Sequence, residues 1–258
     1  MASGSQECGA TLQCLVDVAR RTAAEGLSAE ADSEICRLMD ALTAKGLCLD
    51  VPYATRQQSG ERIIWTQSVV ECPAFELVIF VFPAEASIPL HDHPGMTVFS
   101  KVLYGKLSMI SYDWEQPLTP EELVDQTREL DRLEGRLPAN TRHTSPPLSP
   151  PRRANRRADT VLTPEAPTFA LRPRFANIHA FTALGATAVL DLLLPPYDED
   201  AGRDCHYFAS IDACGGERVT LQVAAPPESL IIKRATYRGP AVLSSATGVG
   251  ASHGEAAT

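Results

Sequence analysis

The sequence predicts a mainly β protein, a sandwich or barrel of many short strands preceded by two helices. Three observations carry this. Apolar residues recur at helical spacing only between residues 10 and 46. From Arg62 onward the apolar runs shorten to strand length and fill with β-branched and aromatic residues. Proline, glycine and acidic clusters separate those runs, as turns do between closely spaced strands.

The first helix is carried by Leu12, Leu15, Val16 and Ala19. The second spans Ser33 to Lys45 with Ile35, Leu38, Met39 and Leu42, and Gly46 is its stop. The strand-like runs are RIIWTQSVV, FELVIFVF, TVFSKVLY, KLSMISYDW, AVLDLLL and SLIIKRATY. Thr97 to Tyr104 and Lys106 to Trp114, joined at Gly105, predict a β-hairpin. Between Glu134 and Pro167 prolines and arginines remove ladder donors and apolar area, which predicts a surface insertion, with Arg152, Arg153, Arg156 and Arg157 on a solvated loop. Residues 1–9 and the Ala, Ser and Gly-rich residues 241–258 are expected to be disordered, leaving one domain over 10–240.

Composition narrows the function classes. With 258 residues, 44% hydrophobic and 21% charged, the chain suits a single globular domain. A formal charge of -9 and a pI near 5.2 argue against holding nucleic acid or anionic lipid by bulk electrostatics. No apolar run is long enough to span a bilayer, and the first residues lack the pattern of a signal peptide, so an intracellular, reducing setting is expected. The seven cysteines (Cys8, Cys14, Cys36, Cys48, Cys72, Cys205, Cys214) include no C-x-x-C pair, which fits neither a disulfide framework nor a zinc finger.

The chemistry concentrates in Ile88-Pro-Leu-His91-Asp92-His93-Pro-Gly-Met-Thr-Val98. On an extended chain His91 and His93 project to one face and can converge on one ion. A lone His-x-His is a weak signal, but Gly105 follows at the separation of the first cupin motif. The position of that motif's glutamate is held by Thr97 or Val98, so no carboxylate is supplied there. A third ligand must come from His143, His179, His206 or His253. His143 falls in the Pro-rich segment and His253 in the tail, both poor places for a rigid ligand. His179 lies in a strand-like run where a second cupin motif would fall, and His206 remains an alternative or a surface neighbour. Three neutral imidazoles leave the charge of a divalent metal uncompensated, which favours an anionic ligand such as a thiolate. Zinc hydrolysis is the chemical competitor.

These residues, with Asn177-Ile-His179, Val189-Leu-Asp191 and Pro195-Pro-Tyr197, closely resemble the plant cysteine oxidases, relatives of the animal cysteamine dioxygenase. The resemblance implies a cupin-type double-stranded β-helix, or jelly-roll barrel, with two N-terminal helices. It implies Fe(II) on His91, His93 and His179, and O2-dependent oxidation of the N-terminal cysteine of protein substrates to the sulfinic acid. The expected substrates are transcription regulators, in an oxygen-sensing N-degron pathway of cytoplasm and nucleus. A monomer is expected, with no direct nucleic-acid or membrane partner and no organic cofactor. Asp191 would orient the substrate amine or a water near the metal, against the plainer reading of a structural ion pair. Tyr197 would donate a hydrogen bond to bound oxygen or sulfur, where the alternative is a packed loop anchor. Cys205 and Tyr207 repeat a Cys-x-Tyr spacing linked to a thioether in the animal relative, where plain core packing is the alternative. Asp92 should point away from the ligands. Two other functions stay open, a small-thiol dioxygenase for cysteine or cysteamine and a non-catalytic metal-binding cupin.

Overall fold

The computed structural model describes residues 2–49, 62–136, 147–212 and 216–243. Two helices come first, α1 (Ala2–Glu25) and α2 (Ala29–Asp40). Ser28 caps the second by accepting a hydrogen bond from the Ala31 N–H. Five strands follow, β1 (Ile63–Cys72), β2 (Phe75–Phe82), β3 (Ser87–His91), β4 (Thr97–Tyr104) and β5 (Leu107–Trp114), then α3 (Pro120–Leu133). The remaining strands are β6 (Arg152–Leu162), β7 (Phe169–Leu171), β8 (Ile178–Ala183), β9 (Thr187–Leu194), β10 (Tyr207–Ser210), β11 (Arg218–Ala224) and β12 (Ile231–Arg234).

They form two sheets. One is open, in the order β12-β1-β2-β9-β4-β7; the other runs β10-β11-β6-β5-β8-β3 and returns on itself through the pair Tyr207 and His91. Strand β9 is buried along its whole length, because both of its faces are covered. Leu190 and Leu192 turn to the helices, where they join Leu77, Ile79 and Phe99 against Leu12, Leu15, Ile35 and Met39. Each such fully buried side chain contributes about 1.5–3 kcal/mol. Val189, Asp191 and Leu193 turn the other way, into the space between the sheets.

Four expectations change. Helix α1 starts at Ala2, so residues 2–9 extend a helix whose inner face already buries Cys8 and Leu12. Leu243, in the expected tail, donates its N–H to Gln13 Oε1 at 2.7 Å; residues 244–258 lie outside the described residues. Helix α3 was not anticipated, although Thr119 and Glu122 form a full capping box in front of it. The arginine run is a strand, β6, paired with β5 on one side and β11 on the other. Its buried Ala154 faces inward, while Arg152 pairs with Glu122, Arg156 with Glu217 and Arg157 with Asp113. Arginine stems can cover a sheet face with their heads in water, so the composition misleads here.

The expected hairpin is also replaced. Strand β4 pairs with β7 and β9, whereas β5 pairs with β6 and β8, so the chain changes sheet at Gly105. That residue has φ +83°, and a Cβ there would lie 2.3 Å from the Ala186 carbonyl oxygen. Both the conformation and the close approach demand glycine. Gly105→Ala is expected to cost about 3 kcal/mol or more, read as a lowered urea midpoint with unchanged slope.

Candidate metal centre

His91 ends β3, His93 follows two residues later, and His179 sits on β8 directly opposite His91 in the antiparallel register. One ligand atom from each lies within 4.8 Å of the other two. The ring centroids of His91 and His179 are 4.3 Å apart, and His93 lies 5.1 and 5.2 Å from them. All three rings are buried. Burial lowers the pKa of each, and for His93 and His179 the neighbouring imidazoles lower it further, so the rings are neutral. Neutral imidazole is the form that donates a lone pair to a metal.

The tautomers follow from the backbone. His91 Nδ1 lies 2.9 Å from the Pro89 carbonyl and His179 Nδ1 3.2 Å from that of Asn177. A carbonyl only accepts, so both Nδ1 atoms carry the proton and both Nε2 lone pairs are free for a metal. His93 Nδ1 is buried without a hydrogen-bond partner. A buried ring nitrogen without a hydrogen-bond partner, in a histidine whose ligand atom lies within 4.8 Å of two others, fits a bound metal better than a packed core. Asn177 clamps this segment, its Oδ1 accepting from the His93 N–H at 2.9 Å and its Nδ2 donating to the His93 carbonyl at 3.0 Å. Thus three histidines from two strands and one loop make a preformed site able to coordinate a metal ion. No carboxylate joins the cluster among the described residues, and Val98 packs into an apolar group with Met96 and Leu171.

The ligands open on a cavity of about 580 Å³ counting its open mouth. Phe80, Phe82, Phe181 and Leu193 form apolar walls, and among the described residues Asp191 is the one acid of the lining, which includes no lysine or arginine. Asp191 makes no ion pair among the described residues, and its Oδ1 has no hydrogen-bond partner. Burial pushes its pKa up to about 7, and the Ser100 side chain across the strand pair offsets only part of that. The structural ion pair that the sequence left open is therefore absent among the described residues.

Tyr197 stacks on His93 with centroids 5.0 Å apart, and its hydroxyl donates to the Asp92 carbonyl at 2.7 Å. The proton expected to reach a bound ligand is thus engaged by the backbone of the metal loop. Cys205 lies against the hydroxyls of Tyr197 and Tyr207, and burial pushes its pKa up to about 12, which keeps the thiol protonated. Tyr207 is fixed by its pairing with His91, and both it and Cys205 line the cavity.

His206, expected as a ligand or a surface neighbour, is neither. It is fully buried, its Nδ1 is 3.1 Å from Asp92 Oδ1, and its Nε2 is 2.9 Å from the Thr127 hydroxyl on α3. Asp92 points away from the metal ligands, as the sequence suggested, and also accepts the His206 N–H at 2.9 Å. Burial opposes charge on His206, yet Asp92 with Asp204 and Asp131 holds its pKa above the usual value. This pair ties the loop between the ligands to α3. His206→Ala leaves a buried carboxylate without its partner and is expected to lose about 3 kcal/mol of stability while retaining metal. Denaturant melts and metal analysis of the same sample separate the two effects. His143 and His253 lie outside the described residues.

Comparison with known proteins places this geometry. A family profile described as PCO_ADO matches residues 23–242. Plant cysteine oxidase 2 of Arabidopsis thaliana is 33% identical over 189 residues, 67% of this chain and 59% of the relative. The 2-aminoethanethiol dioxygenase of Homo sapiens is 32% identical over 191 residues, 70% of this chain and 65% of the relative. That of Mus musculus is 33% identical over 68% of this chain and 70% of its own length. The chain thus spans less than two thirds of the plant and human proteins. Among solved structures, KdgF from Halomonas sp. aligns over 52% of this chain and 81% of its own, with TM-score 0.31 and 15% identity. With the profile covering most of the chain, and the three histidines, Asp191 and Tyr197 all inside the matched span, the chain belongs to the PCO_ADO family.

Proposed function

We propose that this protein is an Fe(II)-dependent thiol dioxygenase whose substrate is the N-terminal cysteine of a polypeptide. The observation that supports the reading most is the pairing of three neutral histidine ligands with a cavity that, among the described residues, holds one acid and no cation. Iron, when bound, supplies the redox chemistry by which both atoms of O2 join sulfur, converting R–SH to R–SO2H without an external reductant. The chain's own residues do the rest. Asp191 offers a carboxylate to an ammonium group in an apolar wall, where a charge-assisted hydrogen bond is strong. A free cysteine would bring its own carboxylate into the same cavity, unpaired and beside that acid, at a desolvation cost nothing in the lining repays. A peptide's first residue carries the amine and the thiol but an amide in place of the carboxylate, which removes the conflict. The hydrophobic walls of Phe80, Phe82 and Phe181 exclude water from the reacting sulfur.

A second reading is a small aminothiol lacking a carboxylate, supported by the relatives named 2-aminoethanethiol dioxygenase. The two are separated by mass spectrometry on iron-loaded protein given a Cys-initiated peptide, the same peptide acetylated at its amine, cysteine and cysteamine under labelled dioxygen. Two labelled oxygens on the free-amine peptide and none on the acetylated one are the expected result. Cysteamine as the fastest substrate would favour the second reading, and no oxidation of any thiol would favour a non-catalytic metal-binding protein.

A further inference from the structure

The second sheet returns on itself, so the free sheet edges belong to the open sheet, at β7 and β12. The β12 edge lies at the metal cavity. Ile232 lines that cavity and is 41% exposed, so it stands at the opening. Across the gap from β12 stands β3, and the two strands line successive hollows together. Ile232 and Ile88 line the metal cavity, and Ile231 and Ser87 line the next hollow, with Arg62, Glu85 and Ser229. Since β3 runs from Ser87 to the ligand His91, this second hollow lies farther from the metal than the first. Successive strand residues face opposite ways, so the two hollows open on opposite faces of the gap between β12 and β3, and that gap is the seam that leads outward from the ligands.

The backbone of β12 is arranged to read an extended chain in that seam. The Ala235 N–H donates to the Thr66 carbonyl at 2.7 Å, within a parallel register that pairs Ile232 with Ile64 and Arg234 with Thr66. By the alternation of a parallel ladder, residues 233 and 235 direct their N–H and C=O groups at β1. Those of Ile232 and Arg234 then point outward, and no described strand pairs with them. A short edge bearing Lys233 and Arg234 is also the ordinary guard against unwanted strand pairing. What distinguishes this edge is that its central isoleucine is turned into a reaction cavity.

We propose that the residues following the N-terminal cysteine of a peptide substrate lie along β12 as an added antiparallel strand. They would be held by the outward backbone groups of Ile232 and Arg234 and directed toward the hollow beside Arg62 and Glu85. The direction is fixed because the cysteine must be at the ligand end and the chain must leave toward Ser87. Recognition by backbone hydrogen bonds would make the site tolerant of side-chain identity, with selectivity arising from the free amine and from an extended conformation. This inference rests on the peptide reading given above.

The test is an N-methyl scan of a Cys-initiated peptide, with KM measured on iron-loaded protein and Kd by calorimetry on metal-free protein using the same peptides with serine in place of cysteine. Methylating the amides that face β12 should raise both constants about tenfold each, while methylating the intervening ones changes neither. Arg234→Pro, which deletes one outward N–H without touching the β1 ladder, should weaken a long peptide but not a Cys-initiated dipeptide; Arg234→Ala controls for the lost pair with Glu71. A flat scan on peptides that are still oxidised would overturn the strand docking and leave the proposed reaction intact. Failure of every peptide to be oxidised, with cysteamine oxidised, would overturn the peptide reading and this inference with it.

Discussion

Replacing His179 by alanine is expected to abolish metal binding and activity while leaving the fold in place. The ring is held opposite His91 by the β3 and β8 register and oriented by the Asn177 carbonyl, so no other side chain can move into its position. Losing a group that merely orients a metal ligand weakens affinity about 10–100-fold, and losing the ligand itself should exceed that. Metal content of the purified variant, against a circular dichroism spectrum unchanged from the parent, is the check. Full metal occupancy in this variant would require a different third ligand and would undo the assignment of the centre.

The second large effect concerns Asp191. Its carboxyl has a pKa raised from 3.8 to about 7 by burial, and no described residue pairs with it to compensate. In metal-free protein both folded and unfolded states are protonated at low pH, and the group costs nothing. As pH rises from the unfolded value toward the folded one, only the unfolded state ionises, and stability falls until the cost saturates above the folded pKa. The full linkage is about 4 kcal/mol, and an asparagine, which does not ionise, gives back about 1–2 for its own buried amide. Asp191→Asn should therefore be less stable than the parent by about 1–2 kcal/mol below about pH 3, and more stable by about 2–3 kcal/mol near about pH 8. If the acid reads the substrate amine, turnover per metal should fall between about tenfold and a hundredfold, the worth of a charge-assisted hydrogen bond. A variant less stable than the parent at high pH would show that Asp191 is paired after all. Unchanged turnover would remove it from the site.

The sequence made the site more legible than the fold. His91, His93 and His179 could be read because ligand chemistry restricts residue type and because each lies in or beside a strand whose apolar pattern is strong. Asp191 stood out as an acid in an otherwise apolar run, and only the structure could show that no described residue makes an ion pair with it. The Asp92 and His206 pair was invisible because it joins residues distant in sequence, and His206 in isolation looks like any loop histidine. Local pattern predicts a hairpin at Gly105 because it places two strands around a glycine without saying which neighbours they take. Gly105 serves a crossing between sheets as readily as a tight turn. Strand β6 was hidden by its arginines, whose pairing with Glu122, Asp113 and Glu217 depends on elements far along the chain. Helix α3 could have been found, since Thr119-Pro-Glu-Glu122 is a start signal visible in the sequence itself.

The Asn177 clamp on His93 closes a loop of 84 residues. Contacts of such separation form late, after β3, β5 and β8 have found one another. The centre is therefore expected to form late in folding, and a metal ion is not expected to nucleate the chain. Whatever stabilisation the bound ion provides is absent from a transition state that lacks the site, and appears in the unfolding limb of the kinetics. Metal loading should leave the refolding rate unchanged and slow unfolding, so that the ion acts as a latch on the finished molecule.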